Sequence, residues 1–114
     1  MIDCEVALSD VTMDLVQSIQ KMEPFGEGNS EPVFCTKNLI AKSSPMILGK
    51  ETLKFWVTDG KSTVSAVGFG MAKYKDLIKI GQPVDLAYQV IIDDWNKAPT
   101  VQLKLKDIRL SELN

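Results

Sequence analysis

No regular element can run unbroken through residues 24–34, Pro24-Phe25-Gly26-Glu27-Gly28-Asn29-Ser30-Glu31-Pro32-Val33-Phe34. Pro24 and Pro32 have no backbone N–H, so neither continues a helix or sits within a central strand. Gly26, Gly28 and Asn29 can take positive-φ conformations that other residues resist. Phe25 and Phe34 bracket the turn with bulky apolar groups, as a packed hinge would and a loose linker would not. The hinge divides a short N-terminal segment from a long body, and the two sides carry different hydrophobic periods.

Before the hinge, Ile2, Cys4, Val6 and Leu8 alternate with Asp3, Glu5 and Ala7, the period of a short strand. Ser9, Asp10 and Thr12 supply oxygens able to cap a helix start. Leu15, Val16, Ile19 and Met22 then form one apolar stripe at helical spacing, and Pro24 ends the helix near Glu23.

After the hinge the pattern is β with one interruption. A first strand spans about 33–44, and its alternation slips around Lys37-Asn38-Leu39-Ile40, where a bulge would switch faces. Ser43-Ser44-Pro45 breaks it. From Thr52 to Thr58, Leu53, Phe55 and Val57 fall on one side and Lys54, Trp56 and Thr58 on the other. Asp59-Gly60 signals a two-residue hairpin, and the strand returns over 62–69. Tyr74, Leu77 and Ile78 follow at helical spacing, with Gly81 as the stop. Strands over 83–92 and 100–110 complete the chain. Three strands, a helix and two strands make the element order of an oligonucleotide-binding (OB) barrel. Closure also explains how five strands avoid exposed edges in so short a chain.

The hinge string PFGEGNSEPVF resembles the PFGxGNPEPxF motif of RecJ-type single-strand-specific DNA exonucleases, which lies at the start of their OB domain. It departs at Ser30, where that family usually carries proline. The similarity continues through Leu53-Lys54, Ala66-Val67-Gly68-Phe69-Gly70, Trp95-Asn96 and Val101-Gln102-Leu103-Lys104-Leu105-Lys106-Asp107-Ile108, nearly the whole chain. The resemblance implies a mainly β fold: a five-stranded OB barrel over residues 33–114. Residues 1–32 form a strand, helix and hinge that pack on it. It further implies an excised part of an enzyme that degrades single-stranded DNA from 5′ to 3′ in bacterial repair and recombination, in the cytoplasm. RecJ-like nucleases cut with aspartate and histidine clusters holding divalent metals, manganese or magnesium, in domains that precede this one. The expected partners are single-stranded DNA, those catalytic domains and a single-strand binding protein.

The composition restricts the chemistry. The 114 residues suit one domain, 45% apolar and 25% charged. No apolar run approaches the ~20 residues of a membrane helix. There is no histidine, the commonest general base and transition-metal ligand. Ser and Thr therefore have no histidine to activate them. Asp93-Asp94 is the one adjacent acidic pair, and strand neighbours point to opposite sides. Gly26-x-Gly28 lacks the Lys-Ser/Thr of a phosphate loop. Cys4 and Cys35 lack metal-ligand spacing and are expected as two reduced, buried thiols. No catalytic residue, metal ligand or cofactor is assigned to this chain.

Binding is better supported. The net charge is only −2, but it is unevenly spread. Residues 1–31 set one lysine against seven carboxylates, a net −6. From Pro32 onward, eleven lysines and Arg109 face eight carboxylates, a net +4. On an OB frame, Lys54 and Trp56 project outward beside Lys50, and Lys61 sits at the hairpin tip. Trp95 and Lys97 occupy the last interstrand loop, and Lys104 and Lys106 face out from the final strand. Cations for phosphates and aromatic faces for bases are what single-stranded nucleic acid needs. Plainer roles stand beside these. Trp56 could pack on the N-terminal helix or a neighbouring domain, Trp95 could plug the barrel, and a lysine could simply be solvated. Phe69 is assigned to the core, and Lys37 and Lys42 to no face. The rival function is an OB barrel that docks proteins through the same tryptophans.

Overall fold

The computed structural model describes residues 4–21, 31–93 and 98–112. Its elements are β1 (Cys4–Glu5), a 3-10 turn (Leu8–Asp10), α1 (Met13–Gln20), β2 (Phe34–Ala41), β3 (Met46–Leu48), β4 (Thr52–Thr58), β5 (Thr63–Gly68), a second 3-10 segment (Ala72–Leu77), β6 (Pro83–Asp93) and β7 (Thr100–Leu110). The strands lie in the order β1-β2-β6-β7-β5-β4-β3, and β2 also pairs with β4. Five strands, β2, β6, β7, β5 and β4, thus close into a ring with β1 and β3 attached outside it. Within the ring only β5 and β7 run parallel. This is the OB barrel expected from the element order.

Alternation fills the barrel. On β4, Leu53, Phe55 and Val57 are essentially inaccessible while Trp56 is 44% exposed, the two-sided pleat read from the sequence. Register carries that division around the ring: Phe55 pairs with Ala66, Ala66 with Leu103 and Leu103 with Val90, all inside.

Closure requires β2 to serve two neighbours. Its register against β6 shifts between Thr36 and Leu39, and Asn38 takes φ 59°. This is the irregularity expected at Lys37-Asn38. The bend lets Ile40 and Ala41 pair with Thr58 and Val57 of β4. Buried Asp85 on β6 holds the bend. Its Oδ1 accepts from the Asn38 N–H at 2.9 Å and the Ser111 hydroxyl at 2.6 Å, and its Oδ2 from Arg109 Nε at 3.1 Å. Burial alone would raise the Asp85 pKa. The bonds from Ser111, Asn38 and Arg109 outweigh it and leave the carboxyl below its ordinary 3.8.

The N-terminal segment is joined to the barrel by polar bonds as well as packing. β1 runs parallel to the start of β2. Thr12 caps α1, its hydroxyl accepting from the Leu15 N–H at 3.2 Å. The inner side of α1 buries Val16 and Ile19. Between segment and barrel, the Thr36 hydroxyl donates to the Val6 carbonyl at 2.9 Å. With that proton committed, the inaccessible Tyr88 hydroxyl donates to Thr36 at 2.6 Å. Burial pushes the Tyr88 pKa up to about 12, so the phenol keeps its proton.

Five local expectations are corrected. The hairpin loop has four residues, not two, because Thr58 pairs with Thr63. Its Asp59 carboxylate accepts the N–H groups of Ser62 at 2.7 Å and Lys61 at 2.8 Å. The segment before Gly81 is a short 3-10 helix, Ala72–Leu77, rather than an α-helix. Past the Ser43-Ser44-Pro45 break, Met46–Leu48 adds a strand to the edge of β4. Cys35 is buried as expected, but Cys4, on the outermost strand, is exposed; both thiols are free. The N-terminal strand, expected to reach Leu8, ends at Glu5, and residues 1–3 and the hinge at 24–30 lie outside the described residues.

Two predictions follow from these buried groups. Thr36→Val strands both the Tyr88 hydroxyl and the Val6 carbonyl and costs about 1–3 kcal/mol. Tyr88→Phe removes only a donor and costs about 1 kcal/mol. Urea denaturation of the two variants should show that order. For Asp85, the folded-state pKa is depressed, so its contribution is full above the ordinary carboxylate value and is lost as pH falls through the folded value. Asp85→Asn should be less stable than wild type at neutral pH, and the gap should shrink on acidification below pH ~4.

Candidate nucleic-acid interface

Register places the outward side chains of the barrel in bands that cross several strands. Lys54 of β4 pairs with Met46 of β3 and Val67 of β5, Val67 pairs with Lys104 of β7, and Lys104 with Gln89 of β6. The next band joins Trp56, Ser65, Gln102 and Ile91. Lys54 and Lys104 therefore flank Val67, each half-buried, one band away from Trp56. Ser65, Val67 and Gln102 are buried, and the Gln102 amide donates to Ser65 Oγ at 3.0 Å. They form a floor with no unpaired polar atom, beside an indole and two ammonium groups that remain accessible.

The Trp56 backbone is held on both sides. Its strand pairs with β5, while its N–H donates to Ser43 Oγ at 3.0 Å and its carbonyl accepts the Lys42 N–H at 2.8 Å. The position of the indole thus follows from closure of the barrel at the end of β2.

Of the eight residues expected to bind, Lys54, Trp56 and Lys104 come together on this face. Lys50 is exposed in the turn between β3 and β4, and Lys61 is exposed at the tip of the β4–β5 hairpin. Lys106 is exposed on β7, two residues beyond the point where pairing with β5 ends. Trp95 and Lys97 lie outside the described residues. Trp56 does not pack away in the interior.

Three accessible apolar residues were not assigned to the face. Phe69, expected in the core, is 60% exposed. It follows Gly68 in a turn closed by the Met71 N–H on the Gly68 carbonyl at 3.3 Å. The alternation carried one step past β5 gives the signal that was missed: Ala66 and Gly68 point inward, so Phe69 points out. Met46 and Leu48 are also exposed, on β3, whose three residues are too few to show a period.

A groove of about 300 Å³ on the β1, β2, β6 and β7 side is different in kind. Glu5, Lys37, Asp107 and Arg109 surround the buried Cys35 thiol there. Burial pushes that thiol above its ordinary pKa, and the Asp85 and Glu5 carboxylates add to the effect. It is therefore protonated and unreactive near neutrality. Among the described residues no group of three or more Cys, Asp or Glu could hold a metal ion, and no helix is long and apolar enough to cross a membrane.

A closed five-stranded barrel of this order, with an outward lysine and tryptophan face, defines an OB-fold domain. The profile of the RecJ OB domain matches residues 2–107, and the chain belongs to that family. The single-stranded-DNA-specific exonuclease RecJ of Bacillus subtilis is 24% identical over 112 residues, covering 97% of this chain. This chain spans only 14% of that relative's length. Among solved structures, RecJ of Thermus thermophilus in complex with Mn2+ superposes with a TM-score of 0.62 at 24% identity, over 87% of this chain and 14% of that one. A small single-stranded DNA-binding protein of Streptomyces coelicolor superposes at 0.57 and 12% identity, over 72% of this chain and 94% of that one. An aspartyl-tRNA synthetase from Leishmania major shares the fold at 0.62 and 13% identity, over 96% of this chain and 21% of that one. The described residues do not fit a divalent ion of the kind that the Thermus RecJ holds.

Packing behind Phe69 leaves no room for a larger residue at Gly68. A Cβ at Gly68 would lie 2.7 Å from Met71 Sδ and 3.0 Å from Met71 Cβ. Gly68→Ala must displace Met71 and should cost about 1–3 kcal/mol, read as a lowered Tm by circular dichroism.

Proposed function

We propose that this chain is the single-stranded-DNA-binding OB domain of a RecJ-like 5′-to-3′ exonuclease that acts in DNA repair and recombination. The domain performs no catalysis itself. The manganese or magnesium ions of the parent enzyme belong to catalytic domains outside this sequence, and those domains are its partners in the cytoplasm. The observation that carries the reading is the Trp56 indole exposed beside Lys54 and Lys104, on the barrel of a chain in the RecJ OB domain family. A flexible strand can turn its bases onto the indole while its phosphates meet the ammonium groups. A duplex keeps its bases stacked inside and offers only phosphates. Lys50, Lys61 and Lys106 extend the cationic surface, and Trp95 and Lys97 are proposed to join it from the loop between β6 and β7.

A second reading has its own support in the accessible Met46 and Leu48, which pair with Lys54 and Thr52 along the β3 edge of the same face. Here the face docks a protein, either the nuclease core or a single-strand binding protein. Trp56→Ala separates the two: lost oligonucleotide binding favours the DNA role, and lost partner binding with intact DNA binding favours docking.

The DNA role is tested by fluorescence anisotropy with labelled oligo-dT and a duplex of equal length. The single strand should bind more tightly. Equal affinities, or no binding at low salt, would overturn the proposal. With Lys54 and Lys104 each meeting one phosphate, log K should fall with log salt at a slope of about −1.4, steeper by about 0.7 for each outlying lysine that also engages. That dependence is shallow, so affinity rests mainly on the rings. Trp56→Ala should weaken oligo-dT by roughly tenfold.

A further inference from the structure

The outward face of β4 and β5 carries a second ring at a fixed interval from the first. Trp56 stands in the band of Ser65, Lys54 in the band of Val67 two residues on, and Phe69 two residues beyond that. The order along β5 is therefore indole, lysine pair, phenyl. At about 3.3 Å per residue the register positions of Trp56 and Phe69 are offset by roughly 13 Å along the direction of β5, with Lys54 and Lys104 at the register position between them. Leu48 pairs with Thr52, one residue before Leu53, and Leu53 pairs with Gly68, so the β3 edge adds apolar surface on the Phe69 side. Phe69 is the most accessible aromatic residue among those described, at 60%, although it sits between two glycines in a tight turn rather than in a loop.

A lone exposed phenyl has no preferred occupant. The cations midway between the two rings supply one, because they match the sugar-phosphate segment that joins two bases. We infer that Phe69 is a second base-stacking contact, and that the strand is held at two separated bases, one on Trp56 and one on Phe69, with the intervening phosphates on Lys54 and Lys104. This rests on the proposed DNA role and gives it a minimum length. Roughly 13 Å is about four steps at the ~3.4 Å rise of stacked DNA, or about two if the strand is pulled to twice that rise. A strand of about three to five nucleotides is then the shortest that engages both rings, and shorter oligomers reach only one.

The test is a length series, dT2, dT4 and dT8, titrated at low salt against wild type, Trp56→Ala, Phe69→Ala and Phe69→Trp. Wild-type affinity should rise sharply between dT2 and dT8. Phe69→Ala should weaken dT8 by roughly tenfold, change dT2 by less than twofold and remove the rise. Phe69→Trp should restore it. Irradiating dT8 that carries 5-iodouracil should cross-link both Trp56 and Phe69. If Phe69→Ala leaves dT8 affinity unchanged while Trp56→Ala weakens it, the second contact is wrong and the DNA role stands. If wild type binds no oligo-dT at low salt, both are wrong. Circular dichroism of each variant shows whether a lost affinity is a lost fold, and the Phe69→Trp and cross-linking results decide the matter if Phe69→Ala unfolds.

Discussion

One bent strand makes the barrel possible. β2 pairs with β6 along most of its length, yet its last residues must also reach β4, and Ile40–Thr58 and Ala41–Val57 are the two pairs that seal the ring. The strand turns at Asn38, whose positive φ is unfavourable for a residue with a side chain, though least so for asparagine. Asp85 compensates by accepting that residue's N–H from inside the neighbouring strand. The same carboxylate binds Arg109 and Ser111 at the end of β7. A single buried acid therefore ties the bend of the first ring strand to the end of the last one. Replacing it with an apolar group would leave several donors unmatched at once.

The face follows from that closure. Past the bend, the chain leaving β2 supplies the Lys42 N–H and Ser43 hydroxyl that hold the backbone of Trp56. β4 is then fixed between β2 and β5, and its alternate residues must divide between interior and surface. The hydrocarbon side chains of Leu53, Phe55 and Val57 take the interior, where burial stabilises each by about 1.5–3 kcal/mol. Lys54 and Trp56 are outside because their neighbours in sequence are inside.

That division is why much of the molecule was legible in its sequence. Strand 52–58 has a clean period of two with one face buried, and Val101, Leu103 and Leu105 keep it in β7 up to the register shift after Leu105, so a slip by one residue would expose the whole core set. The bulge at Lys37-Asn38 showed as broken alternation. What escaped notice lacked a period. β3 is three residues beside a proline, and its strand character comes from pairing with β4, not from its own composition. The segment 72–77 has apolar residues at helical spacing but only six residues, so it closes as a 3-10 turn. The Asp59-Gly60 pair promised a tight hairpin, yet the Asp59 carboxylate reaches forward to two N–H groups and stabilises a wider loop. At the candidate site, Lys54 and Trp56 were readable from one strand. Their meeting with Lys104 was not, because it depends on β7 lying parallel to β5. Phe69 was misplaced because a large aromatic is more often core than surface, whereas the parity of β5 carried one step further gives its direction.

That parallel seam has a bearing on how the molecule is made. β5 joins β7 through Ser65–Gln102, Ala66–Leu103 and Val67–Lys104, pairs separated by 37 positions along the chain. On a ribosome, the first four ring strands emerge before the last one can dock, and no local contact substitutes for it. Until then the central strand of the face has an open edge and Lys104 is absent from it. A nascent chain therefore cannot present the complete surface, and competence to grip a polynucleotide arrives together with the finished fold, not in advance of it.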